Sequence, residues 1–168
     1  MYREGLAYND VLLVPQYSDI KSRSEVSIEA KLGSAQLKIP IIASPMDTIS
    51  ESDMAIAMAQ QGGLAIVHRY NSIHEQRLHC DKASLRGATV GAAIGTSGDY
   101  LDRATALYAA GVRILCVDVA HGHHILMKEA LTKLRQAFDY DVHIMAGNIA
   151  TLEGYNDLVD WGADSVRC

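Results

Sequence analysis

The stretch Ile114–His124, ILCVDVAHGHH, runs through four apolar residues to a carboxylate and then sets three histidines within four positions. An apolar run this short, closed by a polar turn, reads as a strand buried on both faces rather than as a helix. Asp118 then stands where the strand leaves the core. A carboxylate there is costly unless something engages it. It caps the next helix, or it offers a ligand a fixed acceptor with two oxygens. His121 and His123 are two apart and His123 and His124 are adjacent, so neither pair has the four-residue spacing that puts two imidazoles on one helix face. With Gly122 marking a turn, the histidines read as a turn and a helix start, not as a metal site.

Working outward, the next stretch, HHILMKEALTKLRQAF, has helical spacing, and the same alternation recurs along the chain. The apolar runs are IPIIAS, LAIVH, TVGAAIG, RILCVDV, VHIMAG and ADSVR, and stretches such as SESDMAIAMAQQG and TLEGYNDLVDWG lie between them. In several of these a Ser, Asp or Thr is placed to cap the start, and Gly62, Gly111 and Gly162 stand where helices end. Repeated strand–helix units form either an open doubly wound sheet or a (β/α)8 barrel.

The loops separate the two. A dinucleotide-binding sheet has G-x-G-x-x-G after its first strand, whereas SPMDT follows here and GAAIGTSG has the wrong spacing. Polar residues end nearly every strand: Ser44 and Asp47, His68 and Arg69, Thr96, Asp118, Asn148 and Arg167. A barrel gathers its chemistry at one face in this way. The expected fold is α/β, a partial (β/α)8 TIM barrel of about the first six strands, spanning residues 39–168. Residues 1–38 are expected to be a lead-in that covers the bottom or side of the barrel. The alternation in EVSIEAKLG, residues 25–33, predicts a half-exposed strand within it.

Composition bounds the function. A chain of 168 residues that is 49% hydrophobic can form one cored domain, and a net charge of −5 with no Lys/Arg block argues against a nucleic-acid partner. No apolar run has the length of a membrane span, and the first residues lack the order of a signal peptide, so a cytoplasmic protein is expected. Cys80, Cys116 and Cys168 form no C-x-x-C pair and read as reduced thiols.

Five strings in order, YNDVLLVPQYSDI, IPIIASPMDTISESDMAIAMAQQGGLAIVHR, VGAAIG, AGVRILCVDVAHGHH and IMAGNIAT, resemble the N-terminal part of the catalytic barrel of the IMP dehydrogenase/GMP reductase family. The resemblance implies oxidation of IMP to XMP with NAD, or reduction of GMP to IMP with NADPH, in a barrel that is usually tetrameric. It places Asp118 on the nicotinamide ribose hydroxyls, Val119 and Ala120 at neighbouring cofactor contacts made through backbone, Asn148 near the nicotinamide, and Arg167 and His68 on the cofactor side. By the same resemblance Ser44 lies near the ribose-phosphate of the nucleotide and Met46 against its base.

The sequence departs from the family pattern in two respects. From His68 to Gly95 the chain passes between strands with only a helix, where typical IMP dehydrogenases carry a CBS regulatory pair. The family's Gly-rich loop, which bears the nucleophilic cysteine and goes with any monovalent cation, is expected beyond Cys168. No catalytic residue is therefore expected in this stretch, and the chain alone is expected to be inactive. SPMDT and AHGH favour IMP dehydrogenase, whereas KSRSE, HRY and the lack of a regulatory insert favour GMP reductase; the dehydrogenase is preferred. The remaining alternative is a non-catalytic split half that pairs with a complementary C-terminal polypeptide.

Overall fold

In a computed structural model describing residues 5–168, each of the six apolar runs becomes a short strand of one parallel sheet. Residues 1–4 of the expected lead-in lie outside the described residues. The chain first forms an antiparallel hairpin, β1 (Ala30–Leu32) and β2 (Ala35–Leu37), turning at Gly33 with φ 57°. The parallel strands follow as β3 (Ile42–Ala43), β4 (Leu64–Val67), β5 (Gly91–Ile94), β6 (Ile114–Asp118), β7 (His143–Gly147) and β8 (Ser165–Arg167). They pair strictly in chain order, β3-β4-β5-β6-β7-β8, with a helix in every crossover. The helices are α1 (Ser52–Gln60), α2 (Ile73–Ser84), α3 (Tyr100–Ala109), α4 (Ile125–Phe138) and α5 (Leu152–Asp160). Sequential parallel pairing with one helix per crossover is the winding of a (β/α)8 barrel, here as a six-stranded arc.

The strands are apolar throughout because both faces are covered. One face, with Ala65, Val67, Ala92, Ile94, Leu115, Val117, Ile144 and Ala146, packs under the helices beside Leu107, Met127, Leu131, Leu134 and Leu158. The other, with Leu64, Ile66, Ala93, Ile114, Cys116 and Met145, forms the concave interior, and Ala35 and Leu37 of the hairpin join it. The hairpin thus plugs the end of the sheet opposite Asp118. Its turn lies against the start of β7, where a Cβ on Gly33 would come within 2.6 Å of the Cβ of His143.

Helix ends follow the local chemistry. Ser72 and Glu75 form a reciprocal capping box at α2, the Thr151 hydroxyl accepts from Gly154 N at α5, and the His124 ring accepts from Leu126 N at α4. Gly62, Gly111 and Gly162 end α1, α3 and α5 with φ of 84°, 89° and 108°, which a side chain resists. A buried network ties the upper ends of β4 and β5 to the helices. The amide of Gln76 donates to the carbonyls of Val67 and Ala93 and its oxygen accepts from Arg103, which also donates to Asn71 O and Asp99. Asp99 spends its carboxylate on that arginine and makes no side-chain cap to α3.

One expectation is corrected. The strand read over residues 25–33 contracts to Ala30–Leu32, because β2 offers it a partner over three residues only; Arg23–Glu25 forms a 3-10 turn capped by Ser22. Before the hairpin the described chain is exposed, with Leu12 and Leu13 at 94% and 99% exposure, and Tyr8–Asp10 forms a second 3-10 turn. Among the described residues no helix is long and apolar enough to cross a membrane.

Candidate functional site

The C-terminal ends of β3, β4, β6 and β8 enclose a cleft of about 390 Å³ lined by Ser44, Pro45, Met46, Asp47, Tyr70, Asp118 and Arg167. It shares Ser44, Pro45 and Arg167 with a second cavity of about 340 Å³ that descends past Ile66 and Met145 to Leu32, along the concave face of the sheet. A slightly larger hollow, about 410 Å³, lies at the opposite end around Gly33, Arg113, His143 and Asp164. Charges there are mostly spent on structure: Arg113 stacks on Tyr108 and faces Asp141 at 3.6 Å, and Asp164 is held by Arg135. Chemistry in a barrel collects at the C-terminal ends of the strands, which makes the cleft at that end the candidate site.

Its floor is an ion pair. Arg167 Nη1 donates to Asp118 Oδ1 at 2.5 Å, with the two side chains 26% and 14% exposed. Between their strands lies β7, where Gly147 is level with Asp118 on one side and with Arg167 on the other. A Cβ on Gly147 would come within 2.7 Å of both Arg167 Cβ and Arg167 O. Absence of a side chain lets the guanidinium cross β7 to the carboxylate. The same Nη1 lies 3.5 Å from Cys116 Sγ, one inward position lower on β6. Burial works against the Arg167 charge, but the Cys116 and Asp118 groups beside it outweigh burial and raise its pKa above the ordinary value.

Around this pair the sequence-derived residues fall into two groups. Ser44, Met46, Asp118 and Arg167 all line the cleft, Met46 with 48% of its surface exposed. Val119, Ala120, Asn148 and His68 are not part of that lining. Val119 and Asn148 are joined through backbone, Val119 N donating to Gly147 O and Asn148 N to Val119 O, which locks the ends of β6 and β7 together. Ala120 follows on the exposed loop. His68 is buried, its Nδ1 accepting from Tyr70 N and its Nε2 3.2 Å from Glu51, so its ring is turned toward α1. Of the histidines read as a turn, His123 pairs with Asp157 of α5 at 2.8 Å and His124 caps α4.

Two further residues belong to the site. Arg69 Nη2 donates to the carbonyl of Asp118 at 3.1 Å, linking the β4 loop to the floor of the cleft. Tyr70 forms part of the wall and is 62% exposed. The sequence signal for it is an aromatic in the polar segment that follows the apolar run LAIV.

Of the three thiols Cys80 and Cys116 are buried, whereas Cys168, after β8, is exposed and outside the lining of the cleft. Burial pushes Cys80 up to about 12 and Cys116 up to about 11, and a thiol this far above neutrality is not a thiolate at physiological pH. No cysteine lines the cleft among the described residues.

A profile of the IMP dehydrogenase / GMP reductase domain matches residues 5–168. The chain belongs to this family. Among curated family members, an inosine-5'-monophosphate dehydrogenase of Cryptosporidium parvum is 32% identical over 208 residues, covering 98% of the chain and 51% of the relative. A GMP reductase of Albidiferax ferrireducens is 30% identical over 162 residues, covering 95% of the chain and 49% of the relative. The chain thus spans about half the length of these curated relatives. Among solved structures, the GMP reductase from Trypanosoma brucei in complex with guanosine 5'-triphosphate superposes with a TM-score of 0.85 at 23% identity, over 98% of the chain and 71% of that protein. At that identity the likeness is one of fold, and it agrees with the arc of barrel strands.

Proposed function

We propose that residues 39–168 form the cofactor side of an IMP dehydrogenase barrel, with residues 1–38 as its lead-in. The observation that carries this reading is the Asp118–Arg167 pair at the floor of a cleft formed by strand C-termini. The lining suits a nicotinamide nucleotide: a half-buried carboxylate, braced by a guanidinium, is a fixed acceptor for vicinal ribose hydroxyls, and Pro45 and Tyr70 supply apolar wall. Bound there, the nicotinamide supplies a hydride acceptor. Asp118 accepts the ribose O–H groups, Arg167 fixes the carboxylate, and Arg69 fixes the backbone beneath it. Ser44 and Met46, on the adjoining wall, are assigned to the nucleotide: the hydroxyl to its ribose-phosphate and the thioether to its base. Val119, Ala120 and Asn148 shape the upper edge through backbone. His68 supports the β4 loop from beneath.

Oxidation of IMP at C2 requires a thiol to add to C2, an acceptor for the hydride that leaves C2, and water to release XMP and return the thiol. Neither Cys80 nor Cys116 meets that need, being buried and held as thiols, and Cys168, directly after β8 and outside the lining of the cleft, stands before the position that the family resemblance gives to the thiol loop. Turnover therefore needs a reactive thiol and barrel closure from residues complementary to this arc, in the same assembly or in a family tetramer. Any monovalent cation would belong with that thiol loop. No nucleic-acid or membrane partner is called for, and the setting is the cytoplasm.

GMP reductase, with NADPH as hydride donor, is the second reading. It is favoured by the collinearity of the alignments: 160 aligned residues span 95% of the chain with a Streptococcus agalactiae GMP reductase, against 291 residues spanning 99% with a Nitrosopumilus maritimus IMP dehydrogenase. The chain passes from β4 to β5 through α2 alone, as a GMP reductase does.

The test is complementation. Purified residues 1–168 are mixed with a polypeptide carrying the last two βα units and thiol loop of a family member, and reduced nicotinamide is followed with IMP and NAD, or with GMP and NADPH. The reading predicts turnover from the mixture and none from residues 1–168 alone. Turnover by residues 1–168 that survives replacement of all three cysteines would overturn it.

A further inference from the structure

Among the described residues Tyr70 is the one aromatic side chain in the lining of the cleft, and 62% of it is exposed. Its backbone N–H donates to His68 Nδ1 at 3.1 Å, its ring lies near-parallel to the His68 imidazole with centroids 6.2 Å apart and planes at 22°, and the Arg69 guanidinium carbon is 5.4 Å from its centroid. The two neighbours are themselves fixed, His68 by Glu51 and Arg69 by the carbonyl of Asp118. The Tyr70 backbone is thus anchored, and its ring stands beside two flat, anchored neighbours. The same cleft presents Met46, 48% exposed, and the Asp118–Arg167 pair, so apolar wall and hydroxyl acceptor occur in one small volume. Exposed aromatics in such a setting stack on flat heterocycles, whose π-faces they match whatever the ring substituents.

We infer that Tyr70 is a stacking residue for the six-membered heteroaromatic ring of the nucleotide whose ribose Asp118 accepts. The inference rests on the proposed assignment of Asp118 to a nicotinamide ribose and adds to it the residue that distinguishes a ring-bearing ribose phosphate from a bare one. Tyr70 contributes through its ring rather than its hydroxyl, so phenylalanine serves in its place and alanine does not.

The experiment compares two probes on residues 1–168 by calorimetry: nicotinamide mononucleotide, and ribose 5-phosphate, which shares the sugar and phosphate but has no ring. The wild-type chain binds the mononucleotide more tightly, and Tyr70→Ala removes about tenfold of that preference, as loss of one stacking partner does. Tyr70→Phe retains it. Asp118→Ala weakens both probes. Selectivity unchanged in Tyr70→Ala, with Asp118→Ala still weakening both, would overturn the stacking role and leave the cofactor site standing. Binding indifferent to Asp118→Ala, or absent from the wild-type chain, would overturn the cofactor site and the stacking role with it.

Discussion

Arg167 reaches Asp118, 49 positions earlier, across the bare backbone of Gly147. The three residues form one rung of β6, β7 and β8 and face the same side of the sheet. Each end of the rung neutralises the other, so a half-buried carboxylate and a half-buried guanidinium are both tolerated.

Gly147→Ala is expected to disturb that rung first. The added methyl would sit 2.7 Å from the backbone oxygen of Arg167, which cannot move aside as a flexible side-chain end can. Overpacking of this kind costs about 1–3 kcal/mol. Urea denaturation should show a lower midpoint with an unchanged slope, and binding of a nicotinamide nucleotide should weaken in parallel. A midpoint equal to that of the wild type would show that β7 can shift to admit the methyl.

Arg103→Met tests the network above the core. The change strands the Gln76 oxygen, fully buried on α2, without its donor. An unsatisfied buried acceptor costs about 1–3 kcal/mol. The ion pair with Asp99, whose carboxylate is half exposed, adds little beyond that. Thermal unfolding should occur several degrees lower, whereas Arg103→Lys, which keeps a donor on the same side of Gln76, should lose less. Equal losses for the two variants would place the cost in packing rather than in the stranded acceptor.

His143 gives stability a pH dependence of known sign. Burial lowers its pKa from the ordinary 6.5, Asp164 opposes that and Arg135 adds to it. The folded chain therefore keeps the imidazole neutral in a range where the unfolded chain protonates it. Stability is fully present above 6.5, declines as pH falls through that value, and stops declining on this account below the folded pKa. Urea midpoints measured between about pH 7.5 and 5.5 should fall more for the wild type than for His143→Gln. Equal slopes would remove His143 from the account.

Much of this architecture is legible in the sequence, for identifiable reasons. Strands such as LAIV and ILCV are covered on both faces and so are written as unbroken apolar runs, and Gly62, Gly111 and Gly162 mark helix ends because their φ is positive. The hairpin strand is shorter than its pattern suggests because alternation in EVSIEAKLG says nothing of how far a partner runs, and the partner is three residues long. In the site, Asp118 and Ser44 were visible as polar residues closing apolar strands. Their arrangement was not: the Arg167 pairing is long-range, and it depends on the missing side chain of a glycine on a third strand. His68 shows the reverse case. A strand-end histidine looks available in sequence, yet its ring turns beneath the loop to Glu51 and leaves the wall to Tyr70.

Binding of NAD and of IMP to Asp118→Ala, measured by calorimetry beside the wild-type chain, tests the role of this carboxylate. The carboxylate is assigned to the cofactor ribose alone, and loss of a charged hydrogen-bond acceptor removes about 1.5–3 kcal/mol. NAD binding should weaken by roughly ten- to a hundredfold with IMP binding unchanged. Equal losses for both ligands, or NAD binding that does not respond, would contradict that assignment.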